Sequence, residues 1–358
     1  MTANDQSASK FDARGLMNWS VILAVTLAIL VAGRSFLIPL AVAVLLWSLL
    51  NALSNFIQRL RLVGRHMPRW LATTFAVLLL LLANYVVYVI LVNQADALQK
   101  AAPVYQANFT RLADQLTEWL GIEEMPATAH ILERLNVGSL FTRLGGVVGG
   151  VIGNIVLVAI YVGFLLAEQR VLPGKLARLH RREERAERTH HLALEISRNV
   201  QRYMWIKTVI SMLTGIIAYI ILKLVGVDFA ATWALIIFFL NYIPNIGSVL
   251  GVIFPALLTL VQFETITPFV YVLVGLGSMQ FMIGNVIEPA LMGRSLNLSS
   301  FVIIISLTFW GVVWGLPGMF LSVPIMVTFA IICSYIPALH WIAVLLSADG
   351  RTFGPQKE

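Results

Sequence analysis

Long apolar runs separated by short polar segments dominate the chain from residue 16 onward. A helix that crosses a bilayer needs about 20 apolar residues, and every run except the marginal first one approaches that length. The uninterrupted runs are 16–32, 36–57, 70–92, 147–167, 205–225 and 267–287. This pattern predicts an all-α polytopic membrane protein with about five full spans.

A further apolar stretch, residues 229–263, carries no charge but contains only 35 residues. Two spans and a turn would need about 44 residues. Its middle reads N-Y-I-P-N-I-G-S, and proline with glycine breaks a helix at Pro244. Irregular backbone at membrane depth must be buried or line a cavity. We therefore expect a helical hairpin that enters and leaves the membrane on the outer side.

A second interrupted stretch, residues 301–347, is broken at W-G-L-P-G by Gly315 and Pro317. It starts and ends beside cytoplasmic charges, and it is long enough to be either a re-entrant hairpin or two full spans. The pattern thus predicts that residues 205–347 contain two successive units, each formed by one span and one hairpin. This is the layout of an inverted repeat, in which interrupted helices mark the binding site of a transporter.

The polar segments divide the rest of the chain. Four arginines without an acid follow the second run, and residues 168–207 hold ten Lys/Arg against five Glu, so both segments are expected in the cytoplasm. Tyr105 begins an apolar helical stripe in the acidic segment between the third and fourth runs. The predicted divisions are a mobile cytoplasmic N-terminus (1–15), three spans (16–92), an extracytoplasmic helical insertion (93–146), a span (147–167), a basic cytoplasmic amphipathic helix (168–204), a transport core (205–347) and a cytoplasmic tail (348–358).

Composition and charge exclude several function classes. The chain is 59% hydrophobic and 12% charged, against about 45–50% and 25% for soluble domains. Its formal charge of +7 lies in short segments between the apolar runs, as the positive-inside rule predicts, and the basic segment 168–207 also carries interleaved acids. We therefore expect the lipid bilayer as partner and no nucleic acid. The single cysteine, Cys333, allows no internal disulfide. Phosphate-loop, metal-protease and serine-hydrolase motifs are absent from the sequence, so no enzyme activity, cofactor or metal is expected.

Glu288 is the most informative ionisable residue. With Gln280, Gly284 and Asn285 it falls within an arc of about 140° on a helical wheel of about 100° per residue. Ionisable groups at membrane depth usually face a water-filled or protein interior. Either this stripe lines a substrate or ion pathway, or Glu288 forms a structural ion pair with Arg294 at the cytoplasmic interface.

Polar residues also mark the break of the first hairpin. Asn241, Asn245 and Ser248 surround Gly247 there. Side-chain amides and freed backbone groups at such a break can bind a polar solute or a cation. The alternative is that they only satisfy the backbone of the broken helix.

Three long motifs resemble those of the autoinducer-2 exporter (AI-2E) family of bacterial membrane proteins. They are F-L-N-Y-I-P-N-I-G-S-V-L-G (239–251), G-N-V-I-E-P-A-L-M-G-R-S-L-N-L-S (284–299) and F-W-G-V-V-W-G-L-P-G-M-F-L-S-V-P (309–324). The layout of nearly the whole chain is similar as well. The positions that match the motifs are Pro244, Asn245, Gly247, Asn285, Glu288, Pro289, Gly293, Gly311, Gly315 and Pro324.

This resemblance implies a secondary transporter in the bacterial cytoplasmic (inner) membrane, with both termini in the cytoplasm. It implies export of a small polar metabolite or signalling molecule, with the quorum-sensing furanone autoinducer-2 as a candidate, driven by a proton or sodium gradient. Some members resemble sodium/proton antiporters, and a non-transporting scaffold or passive pore is a third alternative. The resemblance also implies a homo-oligomer, with a pentamer as the candidate.

Overall fold

The computed structural model describes residues 13–59, 67–120, 155–172, 174–175, 183–292 and 297–353. All the regular elements in these ranges are helices. The extended backbone in these ranges forms one isolated bridge, between Leu298 and Ser347. The elements are α1 (Ala13–Ala32), α2 (Arg34–Arg59), α3 (Arg69–Leu120), α4 (Ile155–Glu168), α5 (Glu183–Val225), α6 (Ala230–Leu240), α7 (Ile246–Gln262), α8 (Thr267–Met282), a π-helical segment (Ile283–Ile287), α9 (Glu288–Met292), α10 (Ser300–Trp314), α11 (Leu316–Tyr335), a 3-10 turn (Pro337–Leu339) and α12 (His340–Leu346).

Five helical stretches are long and apolar enough to cross a membrane. They are Arg34–Arg59, Arg69–Gln94, Ala186–Val225, Thr267–Met292 and Leu316–Tyr335. The stretch in α3 buries only 6% of its most apolar window inside the protein, so it presents its leucine-rich surface outward. The prediction of an all-α polytopic membrane protein is confirmed. The fifth stretch belongs to the second interrupted segment, whose second arm is therefore long enough to span.

Two helices are longer than the apolar pattern indicates. The predicted span 70–92 continues without a break into the predicted insertion, which gives α3 52 residues and a length of about 78 Å. The predicted basic helix and the span after it form one 43-residue helix, α5. Strong helix formers at 93–102 and the lack of Gly or Pro at 186–204 account for this continuity. The predicted N-terminus, the rest of the insertion and the start of the span 147–167 lie largely or wholly outside the described residues.

The first hairpin consists of α6 and α7, with 11 and 17 residues. At 1.5 Å per residue they are about 16 and 25 Å long, shorter than a hydrocarbon core of about 30 Å. The arms can pack closely at the tip because position 247 is glycine. A Cβ there would run into the carbonyl oxygen of Leu240, the last residue of α6.

The arms of the second hairpin also pack closely at a glycine. Its arms α10 and α11 meet at Gly315, which has a φ of 67° that favours glycine. A Cβ on Gly318 would run into the carbonyl oxygen of Trp310. The order of span, hairpin, span and hairpin is thus present, while the membrane depth of each tip and the inverted orientation of the two units stay predictions.

Helix α5 connects the two larger apolar clusters of the core. One cluster joins Ile210 and Leu222 of α5 to α6, α7 and α8. The other joins Tyr203 and Met204 of the same helix to α2, α11 and the break of the first hairpin. Because α5 lies between both hairpins, polar groups on its buried face are placed to respond to either of them.

Candidate functional site

A line of buried polar side chains runs along α5. Tyr203, Lys207, Ser211 and Thr214 recur at intervals of three or four residues, which places them on one face of the helix, and each is at most 3% exposed. The Thr214 hydroxyl donates to the Ile210 carbonyl one turn earlier. This line of polar residues was not predicted from the sequence. Lys207, which lies near the start of the apolar run 205–225, was the signal that could have revealed it.

Lys207 forms an ion pair with Glu288. The Lys207 Nζ lies 2.5 Å from the Glu288 Oε1, and the lysine side chain is 3% exposed while the glutamate side chain is 24% exposed. Taking two charges out of water is costly, and the pair persists because each ion neutralises the other. Arg294, the partner considered from the sequence, and Gly293 lie outside the described residues.

The π-helical segment Ile283–Ile287 lies immediately before Glu288. A π-helix inserts extra residues into the turn, so the regular 100° wheel does not hold across it. Gln280 is buried and Glu288 pairs with α5, whereas Gly284 and Asn285 are exposed. The Asn285 amide donates to the Phe281 carbonyl of its own helix at 3.0 Å. The predicted stripe is therefore divided between two faces, and its role as a pathway stays a prediction.

Gln280 has an unusual environment. It is 7% exposed, and neither its Oε1 nor its Nε2 has a hydrogen-bond partner within the described ranges. Gly251 of α7 lies opposite, so that a Cβ built there would be 3.5 Å from the Gln280 Nε2. Leaving a buried amide unpaired costs about 1–3 kcal/mol, so Gln280 destabilises the fold unless another group satisfies it.

The break of the first hairpin is tied to the polar line of α5. The buried Asn241 amide donates to the Ser211 hydroxyl at 3.0 Å. Asn245 is exposed and has a φ of 60°, while Gly247 is buried and Ser248 is half-buried. Of the polar residues predicted at the break, Asn241 is thus the one whose contact with the polar line the structure describes.

Tyr242 connects this break to the second hairpin. Its hydroxyl lies 2.8 Å from the Thr208 hydroxyl of α5, and its ring centroid lies 4.6 Å from that of Phe320 at the start of α11. At the second break itself, Gly315 is exposed and Pro317 is half-buried. The two tips therefore meet beside Thr208 of α5.

The two ends of the first hairpin that lie away from its tip, called here its outer ends, are held by α3. The Tyr105 hydroxyl donates to the Asp228 carboxylate at 2.6 Å, and the Asn108 amide donates to the Val261 carbonyl at 2.8 Å. Burial, together with the hydrogen bond to the Asp228 carboxylate, raises the pKa of Tyr105. Because neighbouring residues of α3 contact both arms, the two ends of this hairpin lie close together. The side of the membrane on which they lie stays a prediction.

The chemistry available at this site is hydrogen bonding and charge neutralisation. Along α5 it combines a buried lysine–glutamate pair, hydroxyls and the buried Asn241 amide. A second buried amide, Gln280, lies on α8 opposite Gly251 of α7. In the part of the chain that the structure describes, no three His, Cys, Asp or Glu side chains are grouped to hold a metal ion. Such a site can bind a polar solute and respond to a proton or a cation.

Membrane-length helices, paired interrupted hairpins and a buried polar site are features of polytopic membrane transport proteins. Residues 20–338 match the family model described as AI-2E family transporter, and the chain belongs to that family.

Several curated proteins are similar to the chain over most of its length. The AI-2 transport protein TqsA of Escherichia coli K12 is 32% identical over 91% of this chain and 95% of its own. A putative transport protein of Haemophilus influenzae is 29% identical over 87% of this chain and 88% of its own. The putative transport protein YhhT of Escherichia coli K12 is 30% identical over 85% of each chain.

Proposed function

We propose that this protein is a secondary transporter that exports a small polar metabolite or signalling molecule, coupled to a proton or sodium gradient. The observation that carries this proposal is the ion pair between Lys207 and Glu288, held between α5 and α9 with the lysine fully buried. Ionisable groups within membrane-spanning helices commonly serve ion pathways and proton relays. The membrane setting and the transport family agree with that reading.

The coupling step is charge neutralisation at Glu288. A proton or sodium ion that binds the carboxylate leaves the buried Lys207 ammonium without its partner, which destabilises the contact between α5 and α9. Ser211 lies one turn further along α5 and accepts the hydrogen bond from Asn241. A shift of α5 at Lys207 would therefore reach the tip of the first hairpin through that bond.

Autoinducer-2 is the first candidate solute, because the Escherichia coli relative is named an AI-2 transport protein. The amides of Asn241 and Gln280 and the Ser211 hydroxyl suit a polar molecule with several hydrogen-bonding groups. We further propose the bacterial inner membrane as its location, with both termini in the cytoplasm, and a homo-oligomeric assembly, with a pentamer as the first candidate.

The test is transport by the purified protein in liposomes that contain a pH reporter. A proton or sodium gradient is applied with and without autoinducer-2, for wild type and Glu288→Gln. Glu264→Gln is the matched control, because that carboxylate is 87% exposed at the outer end of the first hairpin. Solute-dependent proton movement that is lost in Glu288→Gln and kept in Glu264→Gln would support the proposal.

Other outcomes would favour the alternatives. Proton movement with sodium alone would indicate a sodium/proton antiporter. Passage of autoinducer-2 down its own gradient without any ion movement would indicate a passive pore. Absence of flux in every condition would contradict transport of these solutes and favour a scaffold.

A further inference from the structure

The Gln280 carboxamide is the strongest unexplained polar group in the described part of the chain. Both of its polar atoms are withdrawn from solvent, and neither is paired. Asn241 donates to Ser211, and Thr259 of the first hairpin donates to the Ala256 carbonyl at 2.6 Å. The buried hydroxyls of Tyr203 and Thr232 also lack a partner among the described residues, but Gln280 leaves both a donor and an acceptor unpaired. Buried polar groups are nearly always hydrogen-bonded in folded proteins, so a carboxamide with neither polar atom paired points to a ligand.

The surroundings of this amide are apolar. Leu276 and Ile283 of the same helical stretch are buried beside it, and Ile237 of α6 packs against Gly251 opposite. A charged solute at this position would lose its hydration without gaining a counter-ion, which is strongly unfavourable. A neutral group would instead regain its hydrogen bonds from the amide.

We propose that Gln280 is the solute-recognition residue of this transporter, pairing its Oε1 and Nε2 with a neutral hydroxyl or amide group that lies between α8 and the first hairpin. This inference rests on the proposed function and deepens it. A carboxamide presents one acceptor and one donor side by side. It therefore selects solutes in which a donor and an acceptor are adjacent, as in a vicinal diol.

The spacing at Gly251 indicates how the solute enters. A Cβ there would be 3.5 Å from the Gln280 Nε2 but only 3.3 Å from the Ile237 side chain, so the space beside the amide barely admits a methyl group. A metabolite needs more room, so α7 must move away from α8 to admit it. When the hairpin returns over an empty site, the amide loses water without gaining a partner. Return with solute bound avoids that cost, so the hairpin closes preferentially over a loaded site.

The test compares three variants with wild type, using autoinducer-2 as the probe. Gln280→Met keeps the length of the side chain but removes both polar atoms. Gly251→Ala places a methyl group beside the amide. Gly275→Ala is the matched control, because its Cβ would be 3.1 Å from Ile221 on α5, equally close to an apolar neighbour but with no polar atom near. The readouts are the thermal unfolding temperature with and without the probe, and probe flux in liposomes.

We expect Gln280→Met to unfold at the same temperature as wild type or higher, since an unpaired amide is removed, and to bind autoinducer-2 about tenfold more weakly. Gly251→Ala should weaken binding several-fold more than Gly275→Ala does. A Gln280→Met protein with a lower unfolding temperature but unchanged binding and flux would overturn the inference and leave the proposed function intact. A wild-type protein that shows neither binding nor flux would overturn the proposed function, and this inference with it.

Discussion

The rings of Tyr242 and Phe320 lie 4.6 Å apart, so the tips of the two hairpins touch inside one chain. Tyr242 belongs to the break between α6 and α7, and Phe320 lies in the first turns of α11. The Tyr242 hydroxyl is also bonded to Thr208, next to the buried Lys207. One aromatic side chain thus contacts both hairpins and the central helix, and movement of either tip must break or carry this contact.

Removing the Tyr242 hydroxyl should cost less than removing its ring. Tyr242→Phe loses one hydrogen bond, which is worth about 0.5–1.5 kcal/mol. Tyr242→Ala also loses the buried ring and the stacking on Phe320, which together should cost about 3–5 kcal/mol. Thermal unfolding in detergent measures both changes. Tyr219→Phe is the control, because Tyr219 on α5 is 40% exposed, and it should leave the unfolding temperature unchanged. Equal losses of stability in Tyr242→Phe and Tyr219→Phe would contradict a special role of the Tyr242 hydroxyl.

The two halves of the buried ion pair should respond unequally to mutation. Glu288→Gln leaves the lysine, 3% exposed, without a partner and should destabilise the protein by about 3–5 kcal/mol. Lys207→Met should cost less, because the remaining carboxylate is 24% exposed and can be hydrated. The double variant should recover most of the stability but not ion coupling. Thermal unfolding of all three variants tests this order, and a strictly additive double variant would show that the two residues do not interact.

The close approach of α6 and α7 predicts that position 247 tolerates no side chain. Gly247→Ala would push a methyl group into the Leu240 carbonyl oxygen and force the arms apart, at a cost of about 1–3 kcal/mol. The yield and unfolding temperature of the detergent-purified protein measure the effect. Gly163→Ala in α4 is the control, since a Cβ there meets nothing within 4 Å. Similar behaviour of the two variants would argue against close packing at the tip.

The outer contact between Tyr105 and Asp228 predicts a specific pH dependence. The pKa of Tyr105 is raised above its ordinary value of 10.0, first by burial and then by the hydrogen bond to Asp228. A group whose pKa is raised by folding contributes stability below its unfolded pKa and loses it as the pH rises further. The Tyr105 contribution should therefore be complete below about pH 10 and decline above it.

Tyrosine absorbance during an alkaline titration measures this shift. Wild type should contain one more late-titrating tyrosine than Tyr105→Phe does, and the stability difference between the two proteins should shrink above pH 10. Tyr85→Phe is a suitable control because Tyr85 lies on α3 and is 63% exposed. If Tyr85→Phe also lost the late-titrating group, that group would not be Tyr105.

Much of this architecture follows from hydropathy, because span lengths and helix breakers are local properties of the sequence. The breaks at Pro244 and Gly315 are where Pro and Gly in an apolar run place them. The lengths of α3 and α5 were not predicted, since a change from apolar to polar side chains was taken for the end of a helix. Backbone helix formation depends on breakers and not on polarity, and none ends either helix at that change.

The site was harder to predict, because it depends on contacts between distant helices. Glu288 was identified from its charge, but its partner Lys207 is 81 residues away in the chain. The helical wheel failed because the π-helical segment shifts the register just before Glu288, and nothing in I-G-N-V-I indicates such a segment. The unpaired state of Gln280 depends on what α7 presents opposite it, which only the packed structure reveals.

The length of α3 has a mechanical consequence. Tyr105 lies about 35 Å along the helix from the middle of the stretch Arg69–Gln94, at 1.5 Å per residue, so a change of about 5° in the tilt of that stretch would displace it by about 3 Å. Membrane-spanning helices adjust their tilt to bilayer thickness over a range wider than this. A change in the tilt of the spanning part of α3 would therefore move Tyr105 and Asn108, which hold the outer end of the first hairpin. We expect the position of that hairpin to depend on the thickness of the host membrane.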